Sequence, residues 1–236
     1  MKIKFITLFP DLIRSYLADA LIAKAVEKNL LSFEIINLRD FSDNAYKSVD
    51  DSPFGGGDGM LMRADILEKA LFAAKTAQAN ARVVYLSPQG KVFNSEMARE
   101  FAGDLNREVI FICGRYAGID QRFIDKYVDE EISVGDYVLS GGELPALVLT
   151  EAISRYVPGV LGKMESAEND SFANGLLEPP QYTRPQVWDG LKVPDVLLSG
   201  NHKKIQEWKD KMALEVTRKK RPDLLRPKIV SGNDGE

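Results

Sequence analysis

Cysteine and histidine are almost missing from this chain: among 236 residues Cys113 and His202 are the single members of their kinds. A disulfide needs two thiols and a structural zinc site needs several Cys or His ligands, so both are excluded as organising devices. Cys113 ends an apolar run, Val109-Ile110-Phe111-Ile112, which predicts a small, inert core thiol rather than a nucleophile. Any general base is then expected to be a carboxylate. Long apolar runs are missing too, with no stretch of about 18 such residues to cross a membrane. The chain enters directly on strand-like Ile3-Lys4-Phe5-Ile6-Thr7-Leu8-Phe9, without the charged start and cleavage site of a signal peptide. These absences predict a cytoplasmic protein with no membrane partner.

What is present is an ordinary globular composition, 44% hydrophobic and 28% charged, which argues against disorder as the dominant state. The net charge of −4 discourages nucleic-acid binding until its distribution is examined. Between Asn201 and Arg221 stand eight Lys and Arg against three acids, a local net of +5 that leaves −9 for the rest. On charge alone that cluster is either a solvated helix face or a phosphate-binding surface.

Through residue 160 the pattern alternates. Short runs rich in Val, Ile, Phe and Tyr at Lys2–Leu8, Phe33–Leu38, Arg82–Leu86, Glu108–Cys113 and Glu131–Val134 predict strands. Amphipathic spans at Asp11–Lys28, Ala64–Ala77, Ser95–Gly103, Ile119–Tyr127 and Glu143–Tyr156 predict helices. Such alternation predicts an α/β fold with a mostly parallel sheet. From Pro158 to Pro185 periodicity gives way to Gly, Pro, Asn and acids, marking a domain boundary. Beyond it Ile205, Trp208, Met212 and Val216 recur at helical spacing, with Gly200-Asn201 as a start and Pro222 as a stop.

The most informative stretches are Cys113-Gly114-Arg115-Tyr116-Ala117-Gly118 and Val134-Gly135-Asp136-Tyr137-Val138-Leu139-Ser140-Gly141-Gly142-Glu143. Both are glycine-bearing loops that follow apolar strands. Ligands in open α/β sheets bind beyond the carboxyl ends of the strands, and glycine lets backbone approach a flat ligand closely. Tyr85-Leu86-Ser87-Pro88-Gln89-Gly90 adds a third such loop, although Ser-Pro-x-Gly is also a plain turn signal. A pocket made of backbone suits an adenine ring. Phe54-Gly55-Gly56-Gly57-Asp58-Gly59 fits neither a P-loop nor a dinucleotide fingerprint, and is equally an anion nest or a flexible loop. Glu151 and Arg155, four apart, form an exposed helix pair worth roughly 0.2–0.5 kcal/mol, or Arg155 makes an electrostatic and acid/base pair with Asp170 at the domain junction.

Together these segments, with Thr7-Leu8-Phe9-Pro10, Leu197-Leu198-Ser199-Gly200-Asn201-His202 and Arg221-Pro222-Asp223-Leu224-Leu225, resemble the bacterial tRNA (guanine-N1)-methyltransferases of the SPOUT class over nearly the whole chain. The resemblance implies a SPOUT catalytic domain at 1–160 whose parallel sheet ends in a C-terminal trefoil knot, an interdomain linker at 161–184, and a small helical tRNA-binding domain at 185–236. It implies S-adenosylmethionine as methyl donor, magnesium assistance, tRNA as partner, and a homodimer with the active site at its interface. The cofactor would be held by Tyr85, Leu86, Ser87, Pro88 and Gly90; by Gly114, Tyr116 and Gly118; and by Ile132, Ser133, Val134, Gly135, Asp136, Tyr137, Val138, Leu139, Gly141, Gly142 and Pro145. Asp170 would remove the N1 proton of the guanine 3′ of the anticodon, and Arg155 would stabilise charge on O6. Gly55, Gly59, His202, Lys203, Arg218, Lys219 and Arg221 would contact tRNA. Two positions depart from the family pattern: Ala117 stands where a glutamate is usual, and Asp58 where a proline is usual. The residues alone leave open an RNA-binding module with impaired catalysis, and a methyltransferase acting on another base or on ribose.

Overall fold

Five apolar runs become the strands of one parallel sheet in the computed structural model, which describes residues 1–75, 80–162 and 170–225. The strands are β1 (Lys2–Thr7), β2 (Ser32–Asn37), β5 (Ala81–Val92), β6 (Glu108–Ile112) and β7 (Glu130–Ser133), in the order β2-β1-β6-β5-β7. Between β2 and β5 a short antiparallel pair forms from β3 (Asp50–Asp51) and β4 (Leu61–Met62).

Both faces of the sheet are covered, which is why β1, β5 and β6 bury consecutive residues rather than alternate ones. Ile3 and Phe5 of β1, Val109 and Phe111 of β6 and Val84 and Leu86 of β5 pack on one side against α1 (Pro10–Leu17), α2 (Ala20–Glu27), α4 (Ser95–Gly103) and α6 (Glu143–Ser154). The intervening Ile6, Ile110, Ile112, Val83 and Tyr85 pack on the other against α3 (Ala64–Ala74) and α5 (Gln121–Tyr127). The period-two inversion of side chains assigns each residue to its layer.

The strand pattern also holds a lysine. Lys4 is fully buried, 2.9 Å from Glu108 and 3.3 Å from Glu34, and its ammonium donates to the carbonyl of Ala74 in the last turn of α3. A cation there complements the helix's negative end and is paired on two sides.

Several element bounds differ from the sequence expectation. The span Asp11–Lys28 is two helices, because Asp19 takes extended backbone and its carboxylate accepts from the amide of Ala20. The third strand does not stop at Leu86: β5 bulges at residues 87–90 and resumes pairing with β7 at Lys91 and Val92. The helix expected from Ile119 begins at Gln121, with Asp120 as its cap, since Ile119 is spent on a bridge to Met62. The helix expected to reach Tyr156 ends at Ser154, and the one expected to reach Ala77 ends at Ala74; positions 76–79 lie outside the described residues.

The chain divides into two compact units, Met1–Met164 and Glu165–Glu236. Of the expected linker, 163–169 lie outside the described residues, as do 226–236 of the expected C-terminal domain. The second unit contains a helix at His202–Lys220, whose Asn201 side chain caps the amide of Lys204. It also contains a hairpin of β8 (Val187–Trp188) and β9 (Leu191–Lys192), which turns at Asp189-Gly190, where both residues have positive φ. Ile205, Trp208, Met212 and Val216 are half-buried, while Ala213 and Thr217 of the long helix are fully enclosed.

Candidate active site

Beyond the carboxyl ends of β6 and β7, and at the bulge of β5, three segments converge on a cavity of about 260 Å³. Its walls are residues 85–89, 114–118, 132–135, 137–142 and 145. All of the residues expected to hold a cofactor line it except Gly90 and Asp136. Gly90 faces β7 instead: a Cβ there would sit 2.3 Å from the carbonyl carbon of Glu131, so only glycine lets the bulged strand pass. Asp136 is exposed and outside the lining. Gln89, Arg115, Ala117 and Ser140, which belong to the three loops expected to hold the cofactor without being singled out as its contacts, line the cavity too.

The second and third loops are fastened backbone to backbone. The amide of Gly142 donates to the carbonyl of Gly114 at 2.9 Å, Arg115 and Gly141 form an antiparallel bridge, and a Cβ on Gly142 would lie 2.8 Å from the Cα of Cys113. Their side chains add an ion pair: Arg115 Nε donates to Glu143 Oε2 at 2.9 Å. The same guanidinium donates to the carbonyl of Ser140 at 3.2 Å and lies 4.2 Å over the ring of Phe9. Glu143, 1% exposed, also accepts from Thr7 Oγ1 at 2.8 Å, and its place as first residue of α6 puts the carboxylate at the helix's positive end.

Burial keeps two groups at and beside the cavity in their neutral forms. Burial, with Glu131 adding to it, pushes the Tyr85 phenol up to about 12 against a hydrogen bond from the Ile119 backbone, so the ring is a neutral wall at physiological pH. Complete burial pushes the Cys113 thiol up, with Glu143 in the same direction and Arg115 opposing. As the sequence predicts, it is no nucleophile.

The glycine-rich loop borders this site. Gly55, Gly56, Gly57 and Gly59 all have positive φ, and a Cβ at the first three would meet nothing, so there the demand is conformational. At Gly59 a Cβ would come 3.1 Å from that of Ala117, and the amide of Ala117 donates to Met60 at 2.9 Å. The departure at Ala117 therefore lies on the cavity rim, and Asp58 is exposed in the glycine loop.

The two residues expected to act on the base belong to different units. Arg155 caps the carboxyl end of α6, and the Glu151 carboxylate accepts from Tyr16 Oη of α1 at 3.1 Å. Asp170 lies in the second unit and lines a cavity of about 700 Å³ there, with Glu178, Tyr182, Ile205 and Trp208. Of the residues expected to bind tRNA, Gly55 and Gly59 belong to the first unit. His202, Lys203, Arg218 and Lys219 lie exposed along the long helix, with Arg221 as its carboxyl cap. Among the described residues no group of three or more His, Cys, Asp and Glu could hold a metal ion, and no helix is long and apolar enough to cross a membrane.

Comparison with known proteins shows the family of the chain. The family model described as tRNA (Guanine-1)-methyltransferase TrmD matches residues 1–227. A tRNA (guanine-N(1)-)-methyltransferase of Buchnera aphidicola subsp. Schizaphis graminum is 52% identical over 225 residues, 95% of this chain and 85% of the relative. The proteins of the same name from Geobacter sulfurreducens and Clostridioides difficile are each 48% identical, covering 99% and 96% of this chain and 95% and 98% of the relatives.

Proposed function

The chain belongs to the tRNA (guanine-N1)-methyltransferases and methylates guanine N1 in tRNA, and from that premise we propose that its target is the guanine immediately 3′ of the anticodon. The cofactor's place in this reading is carried by the convergence of the β5 bulge and the two glycine loops after β6 and β7 on one cavity. In this reading the cavity holds S-adenosylmethionine, and its walls suit the group. Leu86, Ile132 and Pro145 offer apolar surfaces for a flat ring, main-chain groups of the loops offer an edge to pair with, and Gly118 places no side chain in the cradle. When bound, S-adenosylmethionine supplies a methyl group activated on a sulfonium.

Guanine N1 carries a proton and is not a nucleophile until it leaves. Asp170 takes that proton, while the fixed cation of Arg155 stabilises the charge that develops on O6. The methyl that the freed N1 receives would come from S-adenosylmethionine held by residues 85–89, 114–118, 132–135 and 137–142. Holding the two reactants in line supplies much of the acceleration.

As the family resemblance implies, the complete site is assigned to a homodimer, with the linker and second unit of one subunit completing the site of its partner. Supporting this, Leu12 and Tyr16 on α1 and Leu144 and Val148 on α6 are exposed apolar residues four apart on two helices joined by the Tyr16–Glu151 bond. The family resemblance extends this reading to a trefoil-knotted path for the C-terminal portion of the first unit. The helix at His202–Lys220 then holds the phosphate backbone, as the core of a C-terminal tRNA-binding domain, and the protein works in the cytoplasm with its substrate.

Titration calorimetry with S-adenosylmethionine alone tests the cavity, since a pure RNA-binding module gives no heat. Replacing the target guanine of a transcript by adenine tests the target: methyl incorporation must vanish.

A further inference from the structure

We propose that Thr217 is a positioning residue that fixes the Asp170 segment to the basic helix, so that the element gripping tRNA phosphates also sets the general base. The inference rests on the assignment of Asp170 made above.

Residues 170–178 close on themselves. Ala173 donates its amide to the carbonyl of Asp170 at 3.2 Å, Phe172 to Leu176 at 2.7 Å, Gly175 to Phe172 at 3.3 Å, and Glu178 to Ser171 Oγ at 3.1 Å. Phe172 has φ of +74°, a conformation a bulky residue keeps only when its surroundings impose it, and such strain gathers where geometry serves function.

What holds this loop from outside is the long helix. Thr217 is completely buried; its hydroxyl donates to the carbonyl of Ala213 at 2.7 Å and accepts from the amide of Leu177 at 2.8 Å. With its one proton committed to the helix, the hydroxyl has only an acceptor lobe left for the loop, and that lobe fixes the position of Leu177. One turn further on, the Arg221 guanidinium lies 5.7 Å over the Phe172 ring while Asp223 holds it at 2.7 Å. Residues four apart share a helix face, so both contacts lie on one side. Arg218 and Lys219, immediately beside Thr217, are exposed. The cations and the loop are therefore carried on one rigid element.

The full-length protein carrying Thr217→Val, Thr217→Ser or Asp170→Asn is assayed by single-turnover methyl transfer at saturating tRNA and S-adenosylmethionine across pH, with tRNA affinity and thermal melting measured in parallel. Thr217→Val, equal in shape but lacking the acceptor, should lose about tenfold or more in rate, because small misplacement of a reacting group is costly. Its tRNA affinity should stay within about twofold, so the loss falls in the chemical step and not in binding. The deficit should shrink as pH rises, since hydroxide then removes the N1 proton without a placed carboxylate, and Thr217→Ser should restore the rate. If Thr217→Val melts below assay temperature, Thr217→Ser against Thr217→Ala tests the same hydroxyl. An unchanged rate, a loss that follows tRNA affinity at every pH, or failure of serine to rescue overturns the proposal. Full activity in Asp170→Asn would instead remove the base assignment itself, whereas an inactive Asp170→Asn beside a normal Thr217→Val removes only the positioning role.

Discussion

Arg115 and Glu143, 28 residues apart in sequence, meet at 2.9 Å and tie the second glycine loop to the start of α6. Breaking a buried ion pair from one side is costly because the surviving charge is left unpaired. Glu143→Ala should therefore lower the free energy of unfolding by about 3–5 kcal/mol in denaturant titrations and weaken S-adenosylmethionine binding. Glu143→Gln, which can still accept from Thr7, should lose less.

Lys4 gives the protein a predictable response to alkali and acid. Burial pulls its ammonium down, but Glu108 and Glu34 outweigh this and hold its pKa above the ordinary lysine value. Burial raises Glu108, and Lys4 and Lys2 outweigh that, holding it below the usual carboxylate range. The lysine's contribution is complete below about pH 10.4 and is lost as pH rises through its raised value; the glutamate's is complete above about pH 4.3 and is lost as pH falls through its lowered one. Tyr85, held protonated to about 12, reinforces the alkaline loss because the unfolded chain ionises first. Melting temperature against pH should show a plateau with two shoulders, and Lys4→Met should flatten the alkaline one.

Glycine at 90 is required for a different reason from glycine elsewhere. Gly90→Ala would drive a Cβ to 2.3 Å from the backbone of β7, whereas at Gly103, the last residue of α4, a Cβ would meet nothing. The first substitution should abolish cooperative unfolding or lower the denaturant midpoint severely. Gly103→Ala should be neutral or stabilising by roughly 0.5–1 kcal/mol.

The parallel sheet was legible because its strands are buried on both faces and stand out as continuous apolar runs. The break at Asp19 was not, since Ile13, Leu17, Leu21 and Ala25 keep helical spacing straight through it. Ser87-Pro88-Gln89-Gly90 carries a real turn signal, yet the chain only bulges and rejoins β7, a long-range pairing that no local pattern encodes. The glycine loops pointed to the cavity and include Gln89, Arg115 and Ser140, but the pairing of Arg115 with Glu143 joins two elements and no local pattern encodes it. Lys4 and Thr217 were invisible for the same reason: what makes them unusual is burial, supplied by residues distant in sequence.

Phosphate contacts release counterions, so the cations of the long helix should govern the salt dependence of tRNA binding. Arg218→Ala and Lys219→Ala should each reduce the slope of log affinity against log salt by about 0.7–0.9, measured by filter binding, without altering affinity for S-adenosylmethionine.

The central claim, that the first unit's cavity supplies the methyl group and Asp170 frees guanine N1 to receive it, is tested most directly by labelled methyl transfer. Unmodified tRNA transcript with guanine 3′ of the anticodon is incubated with labelled S-adenosylmethionine and either the native protein or Asp170→Ala, and the product nucleoside is identified. The native protein should yield 1-methylguanosine at that position, and Asp170→Ala about 10²- to 10⁴-fold less of it, with S-adenosylmethionine binding intact. Label on another nucleoside, or an Asp170→Ala protein as active as the native one, would contradict it.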